Sequence, residues 1–373
     1  MADRIEIDAD VRRARTLPAS FYRDAAMWER SKDRVFARSW LVAPPLQAID
    51  TVAAAAKPGH GPLVPFTLLP GFLDEPLLYT RPPGGTAGQV RCISNVCTHR
   101  GTVLVSDSCS ARKIRCRYHG RTFGLDGTFA SMPAFEEAEA FPSPKDDLAR
   151  LPLARLGPLT FTAIDPAMTF EDLVAPIKER LGWFPVDDLV LDPSASRDYL
   201  VQAHWALYCD NYLEGFHVGY VHPGLQESLD VARYRTEVFA HANVQIGVAQ
   251  PGDGAIFELP AGHPDAGQRI AGYYFWLFPC TMLNFYPWGL SVNLVEPVSI
   301  AQTRVRFLIY ALPGARRDAG AGSALHQVEM EDESVVEAVQ RGIASRIYER
   351  GRYSPSQERC VHHFHGLLTA YLA

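Results

Sequence analysis

Two short segments, CTHRG at residues 97–101 and CRYHG at residues 116–120, each combine a cysteine, a histidine and a closing glycine. The glycine lets each segment tighten into a loop. Two thiolates and two imidazoles can hold Zn²⁺ tetrahedrally, or they can hold a [2Fe–2S] cluster with the cysteines on one iron and the histidines on the other. Zinc fingers more often place both cysteines before both histidines, whereas the order alternates here. The alternating order favours the iron–sulfur cluster.

The sequence on either side of these segments predicts an α+β chain with two domains. Three apolar runs bounded by glycine and proline are predicted to be β-strands: residues 65–69, 76–79 and 90–94. They belong to a small β-rich region, beyond which helical and strand patterns mix. A chain of 373 residues is long enough for two sizeable cores. We therefore predict an N-terminal helical segment over 1–40 that packs on the larger domain, a small domain over 41–150 and the larger domain over 151–373.

The composition excludes several classes of protein. A formal net charge of −6 gives no support to nucleic-acid binding, which usually needs a basic surface. Seven cysteines, an odd number in a long chain, argue against a secreted disulfide scaffold. No apolar run follows Met1, so a secretory signal is not expected. These features predict a cytoplasmic protein that binds neither nucleic acid nor a membrane.

One uncharged segment, residues 271–295, has the length of a membrane span. It is rich in aromatic residues, which favour β-sheets, and it is interrupted by Pro279 and Pro287, which are poorly placed inside a helix. We therefore predict two buried β-strands joined by a turn. A membrane span is the less favoured alternative.

A second group of metal-ligand residues follows in the larger domain. A helix is predicted from Asp210 to Gly219, and it places Asp210, Glu214 and His217 on one face. His222 comes five residues after His217, roughly 140° away on an ideal helix. Both histidines therefore bind one metal only if the helix distorts or ends between them. By itself, such a pair is more often an ordinary surface or capping feature.

A carboxylate that fits this pair lies on the helix predicted near Leu325–Tyr348. Its apolar stripe is formed by Val328, Asp332, Val335, Val336, Val339 and Ile343. Asp332 lies in the middle of the stripe, whereas Glu333 and Glu337 project to the opposite side. A carboxylate that faces the core must be protonated, paired in a salt bridge or bound to a metal. Two histidines and one carboxylate form the facial triad that holds Fe(II) with open positions for O2.

Together, the two groups of residues resemble the α subunits of Rieske non-haem iron oxygenases, and the resemblance covers most of the chain. In that family an acidic residue three positions before the first histidine links the Rieske histidine of a neighbouring subunit to the mononuclear iron. Glu214 occupies this position here, and a glutamate is similar to the carnitine oxygenase branch. Residues 337–342 and 351–355 also look like the choline monooxygenase, glycine betaine and carnitine oxygenase group.

The resemblance implies a fold and a set of cofactors. The expected fold is a small all-β Rieske domain and a larger helix-grip catalytic domain, in which helices pack on an antiparallel sheet. The implied ligands are Cys97, His99, Cys116 and His119 for the [2Fe–2S] cluster and His217, His222 and Asp332 for mononuclear Fe(II), with Glu214 and Asp210 as catalytic acids. The implied reaction is the hydroxylation or oxidative demethylation of a small organic substrate with O2 as co-substrate.

The electrons for such a reaction must come from outside the chain. The sequence has no Gly-x-Gly-x-x-Gly dinucleotide fingerprint, so NAD(P)H is expected to act only through a separate reductase or a ferredoxin. Nothing near residues 97–119 places a second iron close by in sequence. The family geometry implies a homotrimer in which electrons pass between chains through His119 and Glu214.

The substrate is the least determined feature. The aromatic residues of the uncharged segment are candidates for a pocket: Tyr273, Phe275, Trp276, Phe285, Tyr286 and Trp288. Such rings suit a quaternary ammonium group or an aromatic ring, but most are expected to be core. The cluster His362, His363 and His365 is interpreted as packing or surface. Three alternatives remain: hydroxylation of an aromatic ring or an aromatic acid, a Rieske electron carrier without oxygenase activity and a zinc-binding scaffold.

Overall fold

A computed structural model describes residues 5–252, 254–317 and 319–373, which pack into two units. The larger unit contains the chain up to Ser39, Leu156–Pro158 and Pro166–Ala373, and the smaller unit contains Trp40–Arg155 and Leu159–Asp165. Both helices and antiparallel sheets are present, so the predicted α+β class is confirmed. Residues 1–4, where the predicted N-terminal segment starts, lie outside the described residues.

Helices and strands are distributed along the whole chain. The helices are α1 (Ala25–Ser31), α2 (Gln47–Ala54), α3 (Phe170–Leu181), α4 (Trp205–Tyr212), α5 (Val218–Val221), α6 (Pro223–Ser228), α7 (Leu325–Gly342) and α8 (Arg359–Leu372). The strands are β1 (Leu41–Ala43), β2 (Gly61–Leu68), β3 (Glu75–Thr80), β4 (Arg91–Ser94), β5 (Cys109–Ala111), β6 (Ile114–Arg115), β7 (Thr122–Phe123), β8 (Phe129–Ser131), β9 (Arg150–Leu151), β10 (Leu153–Leu156), β11 (Leu159–Thr162), β12 (Val190–Leu191), β13 (Arg197–Val201), β14 (Arg235–Val238), β15 (Ala242–Val248), β16 (Ile270–Leu277), β17 (Thr281–Tyr286), β18 (Gly289–Ser299) and β19 (Gln302–Ala311).

The smaller unit is built from short antiparallel strands. One sheet has the order β5-β2-β3-β4-β9, and a second has the order β6-β7-β8. The predicted strands are confirmed as β2, β3 and β4, because proline and glycine punctuate apolar runs that pair in register. Leu78, Ile93 and Phe123 form part of the core, which also includes Cys97 and Cys116. The core thus holds both cysteines of the two ligand segments.

The larger unit is an antiparallel sheet covered by helices. Its strand order in the described part of the chain is β12-β19-β18-β17-β16-β15-β14, and β13 also pairs with β19. Helix α4 packs on β18 and α7, α8 packs on β14, and α3 packs on β16. The predicted arrangement of helices on an antiparallel sheet is therefore confirmed.

The uncharged segment forms three strands, so the prediction of two was wrong. Strands β16 and β17 are joined by a turn at Pro279, and a second turn at Pro287 leads into β18. Each proline interrupts the strand pattern separately because proline lacks the N–H that a sheet requires. None of the described helices is long and apolar enough to cross a membrane.

Two helical predictions also need correction. Within the described residues 5–40, the N-terminal segment is helical only from Ala25, where Asp24 caps α1 by accepting hydrogen bonds from backbone N–H groups. Helix α7 ends at Gly342 rather than near Tyr348. Glycine weakens a helix, and beyond it the Ser345 hydroxyl accepts hydrogen bonds from backbone N–H groups and forms a turn.

A buried histidine makes the larger unit sensitive to acid. His204 caps α4, since its Nδ1 accepts from the Ala206 N–H at 3.2 Å, and the rings of Phe21, Tyr22 and Trp28 surround it. Burial lowers the pKa of His204 from 6.5 to about 3. Between pH 6.5 and about pH 3, His204 is protonated in the unfolded chain and neutral in the folded chain. The stability that neutral His204 contributes is therefore fully present above pH 6.5 and is lost as the pH falls towards 3.

We expect the urea midpoint of the larger unit to fall steeply between pH 6.5 and pH 4.5. The contribution of His204 is at most about 1.4 kcal/mol per pH unit. In His204→Asn, the asparagine keeps a cap but removes the titration, so the variant should lose less stability over this range. His60→Asn, in a turn of the smaller unit, is the control and should follow the wild type. Parallel pH profiles for the wild type and His204→Asn would contradict the assignment.

Candidate metal centres and substrate cavity

The turn after α4 sets the position of the first histidine. The predicted helix from Asp210 to Gly219 was wrong, because α4 ends at Tyr212. Beyond it, the Glu214 carboxylate accepts a hydrogen bond from the backbone N–H of His217 at 3.0 Å. A carboxylate bonded to the N–H groups ahead of it starts a new helix and does not extend the old one. Helix α5 therefore begins immediately after His217.

The two histidines lie at opposite ends of α5. His217 precedes its first residue and His222 follows its last. His222 leaves the helical conformation, with φ −118° and ψ 75°, because Pro223 follows it. The two ring centroids lie 5.1 Å apart. The spacing of the two histidines requires the helix to distort or end. Helix α5 is only one turn long and ends at Val221, directly before His222.

Asp332 on α7 meets both histidines. Its Oδ1 lies 3.0 Å from Nε2 of His222 and 3.4 Å from Nε2 of His217. One potential ligand atom from each of the three residues lies within 4.8 Å of the others. Asn211 donates a hydrogen bond from Nδ2 to the Asp332 carboxylate at 2.6 Å. The structure therefore brings the three sequence-predicted ligands together.

The remaining nitrogen of each histidine ring is held by a carboxylate. His217 Nδ1 lies 2.6 Å from Glu214 Oε1, and His222 Nδ1 lies 2.7 Å from Glu331 Oε2. Such partners fix the tautomer and direct Nε2 towards a metal. Burial would lower the pKa of His222, but the Asp332 and Glu331 carboxylates raise it above its ordinary value. The surroundings thus stabilise positive charge at this point.

The three residues line a cavity of about 110 Å³. Five tyrosines contribute to its wall: Tyr208, Tyr212, Tyr234, Tyr274 and Tyr286. Of the aromatic residues proposed for a pocket from the sequence, Tyr286 lines the cavity and the other five are buried in the core. Tyr274 also lines the cavity, but the prediction named its neighbour Tyr273 instead. The two residues face opposite sides of the sheet because side chains alternate along a strand.

A chain of polar side chains crosses the floor of this cavity. Tyr212 donates to Asn284 Oδ1 at 2.8 Å, and Asn284 donates to Asn293 Oδ1 at 3.1 Å. Asn293 donates to the Tyr208 hydroxyl at 3.4 Å, and Tyr208 donates to Glu329 Oε2 at 2.6 Å. Glu329 is only 2% exposed, and its Oε1 has no hydrogen-bond partner among the described residues. Burial raises the pKa of Glu329 well above its usual range.

Asp210 does not join the three ligand candidates. It accepts hydrogen bonds from the Tyr22 hydroxyl at 2.8 Å and from His365 Nε2 at 2.7 Å. The other ring nitrogen of His365 accepts from the Tyr353 hydroxyl at 2.6 Å. Asp210 and Glu214 line a second cavity of about 260 Å³. The interpretation of His365 as packing or surface therefore missed its hydrogen bonds, and the catalytic role of Asp210 stays a prediction.

The two ligand loops of the smaller unit share one backbone geometry. In each loop, the glycine N–H donates to the cysteine carbonyl: Gly101 to Cys97 at 3.0 Å and Gly120 to Cys116 at 3.1 Å. Both glycines have positive φ, +68° and +77°, a conformation that other residues rarely adopt. The repeated turn presents the side chains of both loops in equivalent ways.

The four side chains of these loops fit an iron–sulfur cluster. Cys97 and Cys116 are buried, and the rings of His99 and His119 lie 4.8 Å apart. His119 Nδ1 is buried without a hydrogen-bond partner among the described residues, as expected of a metal ligand. Burial raises the pKa of Cys116, but the N–H groups of Tyr118 and His119 and the Cys97 thiol lower it overall. The second loop thus favours a thiolate at Cys116, the form that binds iron, whereas burial raises the pKa of Cys97.

Two family models match the chain. The model described as ring hydroxylating alpha subunit (catalytic domain) matches residues 186–373, half of the chain. The model of the Rieske [2Fe-2S] domain matches residues 72–142. The chain belongs to the Rieske oxygenase α-subunit family.

Curated relatives of this oxygenase are named as monooxygenases of carnitine and of choline. The carnitine monooxygenase oxygenase subunit of Escherichia coli K12 is 31% identical and covers 96% of this chain and 94% of its own. The chloroplastic choline monooxygenase of Arabidopsis thaliana is 29% identical and covers 95% of this chain and 82% of its own. The predicted resemblance to the choline and carnitine oxygenase group is confirmed.

Solved structures agree with this assignment. The quaternary ammonium Rieske monooxygenase CntA, in complex with L-carnitine, is 27% identical to this oxygenase, with a TM-score of 0.68 over 98% of this chain and 97% of that chain. Naphthalene 1,2-dioxygenase with bound indole has a TM-score of 0.65 over 96% of this chain and 92% of that chain. Its identity is 16%, so it shares the fold alone.

The family establishes the cofactors and the class of reaction. The oxygenase is an O2-dependent oxidoreductase with a Rieske [2Fe–2S] cluster and a mononuclear iron, and it takes electrons from a reductase. The zinc scaffold is therefore excluded by the Rieske domain, and the simple electron carrier is excluded by the catalytic domain. The individual ligand residues stay predictions, which the convergence of His217, His222 and Asp332 and the proximity of His99 and His119 support.

Four side chains beside the predicted site residues were not predicted from the sequence: Asn211, Tyr208 and Glu329, which line the first cavity, and Tyr22, which bonds to Asp210. A signal existed for Glu329. It lies seven residues before Val336, which is buried, so the two share one face of α7. No comparable periodicity marks Asn211 or Tyr22, whose partners are distant in sequence.

Proposed function

We propose that this oxygenase hydroxylates a methyl carbon attached to nitrogen in a small N-methylated ammonium compound. The observation that carries the proposal is the convergence of His217, His222 and Asp332 in the wall of a tyrosine-lined cavity. One oxygen atom of O2 enters the C–H bond, and the other leaves as water with two electrons and two protons. The resulting hemiaminal releases formaldehyde. Quaternary ammonium substrates of the relatives support this choice.

The residues of the chain would hold the metals in the following way. Cys97, His99, Cys116 and His119 would hold the cluster, and His217, His222 and Asp332 would hold the mononuclear iron. When bound, the cluster supplies electrons and the iron supplies the activation of O2. The buried position of His222 excludes water from one side of the site, and the polar floor limits where a substrate can lie.

Glu214 would carry electrons from a neighbouring chain. Its carboxylate contacts the His217 ring and also lines the second cavity. Phe216 and Tyr220 beside it are 46% and 83% exposed, an unusual position for aromatic residues. In the smaller unit, the Tyr118 ring packs on His119 and is 58% exposed. These exposed rings support a homotrimer in which His119 of the partner subunit approaches Glu214. The cytoplasmic location stays a prediction.

A substrate screen tests the proposed function. Purified holoenzyme with a surrogate reductase, NADH and O2 is offered carnitine, choline, γ-butyrobetaine, glycine betaine and benzoate. We expect formaldehyde or a hydroxylated product from at least one ammonium compound, in proportion to the NADH consumed. Consumption of O2 that releases only hydrogen peroxide is the control for uncoupled turnover. Product from benzoate alone would replace the proposal with hydroxylation of an aromatic ring.

A further inference from the structure

The charges around the substrate cavity are unbalanced. Three carboxylates line it, those of Glu214, Glu329 and Asp332, whereas none of its described lining residues is a lysine or an arginine. Glu214 is paired with His217, and Asp332 lies against both histidines. Glu329 has neither kind of partner. Among the described residues of the cavity wall, no positively charged or imidazole side chain therefore balances the charge of Glu329.

The surroundings of Glu329 make a lone negative charge costly. The side chain is 2% exposed, and among the described residues the Tyr208 hydroxyl is the one group that donates a hydrogen bond to it. The neighbouring acids on α7, Asp332 and Glu333, add repulsion. A buried carboxylate in such a place must either stay protonated or receive a cation. If Glu329 had only a structural role, glutamine would serve equally well, because its side-chain oxygen also accepts the hydrogen bond from Tyr208.

We propose that Glu329 determines substrate specificity by pairing with the positively charged nitrogen of the substrate. The inference rests on the proposed function and adds the residue that recognises the ammonium group. Tyr208 fixes one oxygen of the carboxylate, so the unpartnered Oε1 is left for the cation. Tyrosine rings of the same wall, such as Tyr274 and Tyr286, supply additional attraction through their faces. A neutral compound of the same shape gains only the apolar contacts.

Two probes of matched shape separate charge from size. Choline and 3,3-dimethyl-1-butanol differ in that the quaternary nitrogen of the first is a carbon in the second. Their binding to the oxidised holoenzyme is measured by calorimetry without reductase, so that no turnover occurs. We expect the wild type to bind choline at least about tenfold more tightly than the alcohol, equivalent to about 1.4 kcal/mol. In Glu329→Gln this ratio should fall severalfold, to the smaller preference that the tyrosine rings alone supply, with the affinity for the alcohol retained.

Glu333→Gln is the matched control. Glu333 lies one turn further along α7, and its Oε1 is also buried without a hydrogen-bond partner among the described residues. It does not line the cavity, so its replacement should leave the choline preference unchanged. The visible absorption of the cluster and the iron content show that each variant is assembled. Retained affinity for the alcohol excludes a collapsed pocket as the reason for lost choline binding.

Two results overturn the inference. The first is a Glu329→Gln variant that still prefers choline as the wild type does. The second is a wild type that binds choline no better than the alcohol, including one that binds neither probe. Formaldehyde release separates these outcomes from the proposed function. Demethylation with the same KM in the wild type and in Glu329→Gln keeps the function and removes the inference, whereas Glu329-dependent choline binding without any oxidised product does the reverse.

Discussion

Replacement of His222 by alanine should remove one iron from each chain and reduce turnover by more than about a hundredfold, while the cluster remains. Its Nε2 lies 3.0 Å from Asp332, and its Nδ1 is held by Glu331. The variant loses one ligand and removes one partner from each of two carboxylates, those of Asp332 and Glu331. Loss of a residue that only orients a ligand already costs about 10–100-fold in metal affinity or activity. Loss of the ligand itself should cost more.

Iron analysis and visible absorption together check this result. The wild type should contain about three irons per chain, and His222→Ala about two, because the cluster holds two. The absorption of the cluster should not change. His326→Ala is the matched control. His326 lies on α7 of the larger unit and forms a hydrogen bond with Tyr199, but it is not one of the three converging residues. A His222→Ala enzyme with three irons and normal turnover would exclude His222 as a ligand.

Replacement of Glu214 by glutamine should leave both metal centres assembled and lower turnover by about a hundredfold. Glutamine has the same length but no charge, so it accepts hydrogen bonds from the His217 ring and backbone more weakly. If Glu214 also contacts His119 of the partner subunit, the substitution interrupts the electron path at its narrowest point. The rate of electron transfer should therefore fall more than the iron content.

A single-turnover experiment separates this role from simple orientation of a ligand. Enzyme with a reduced cluster is mixed with substrate and O2, and reoxidation of the cluster is followed by its absorption. Glu331→Gln is the matched control, because Glu331 holds His222 in the way that Glu214 holds His217. Reoxidation should slow far more in Glu214→Gln than in Glu331→Gln. Equal rates in the two variants, or unchanged turnover, would refute the bridging role of Glu214.

Local sequence patterns were sufficient to predict the features that local structure determines. Each ligand loop of the smaller unit is closed by hydrogen bonds within five residues, with Gly101 and Gly120 at the positions of positive φ. Strands β2 to β4 follow from apolar runs bounded by turn residues. In these cases the nearest neighbours in sequence are also the partners in space.

The predicted helix from Asp210 to Gly219 failed because one contact distant in sequence and one local hydrogen bond override its propensity. Gly215 lies against the ring of Tyr234, and an added Cβ would come within 2.6 Å of that ring. The Glu214 carboxylate turns back onto the backbone ahead of it. Neither contact is visible from helical periodicity, which treats Glu214 as one more position on a face.

The stripe of α7 was misjudged for a related reason. The predicted stripe included Val339, which is 43% exposed, and left out Glu329, which lies beside Val336 on the same face and is almost completely buried. Charged residues are seldom buried, so a pattern based on hydrophobicity assigns glutamate to the surface. The spacing of Glu329 from Val336 hints at its burial, and the packing of α7 on α4 shows that this acid lies inside.

The hydrogen bonds of His365 and Tyr22 to Asp210 have a consequence for biosynthesis. They connect residues 22, 210 and 365, and Asp332 also comes late in the chain. During translation, the smaller unit is complete once residue 165 has left the ribosome, whereas the surroundings of α4 must wait for residue 365. We expect the iron–sulfur cluster to be inserted into a nascent chain, and the ferrous ion to be loaded only near the end of synthesis.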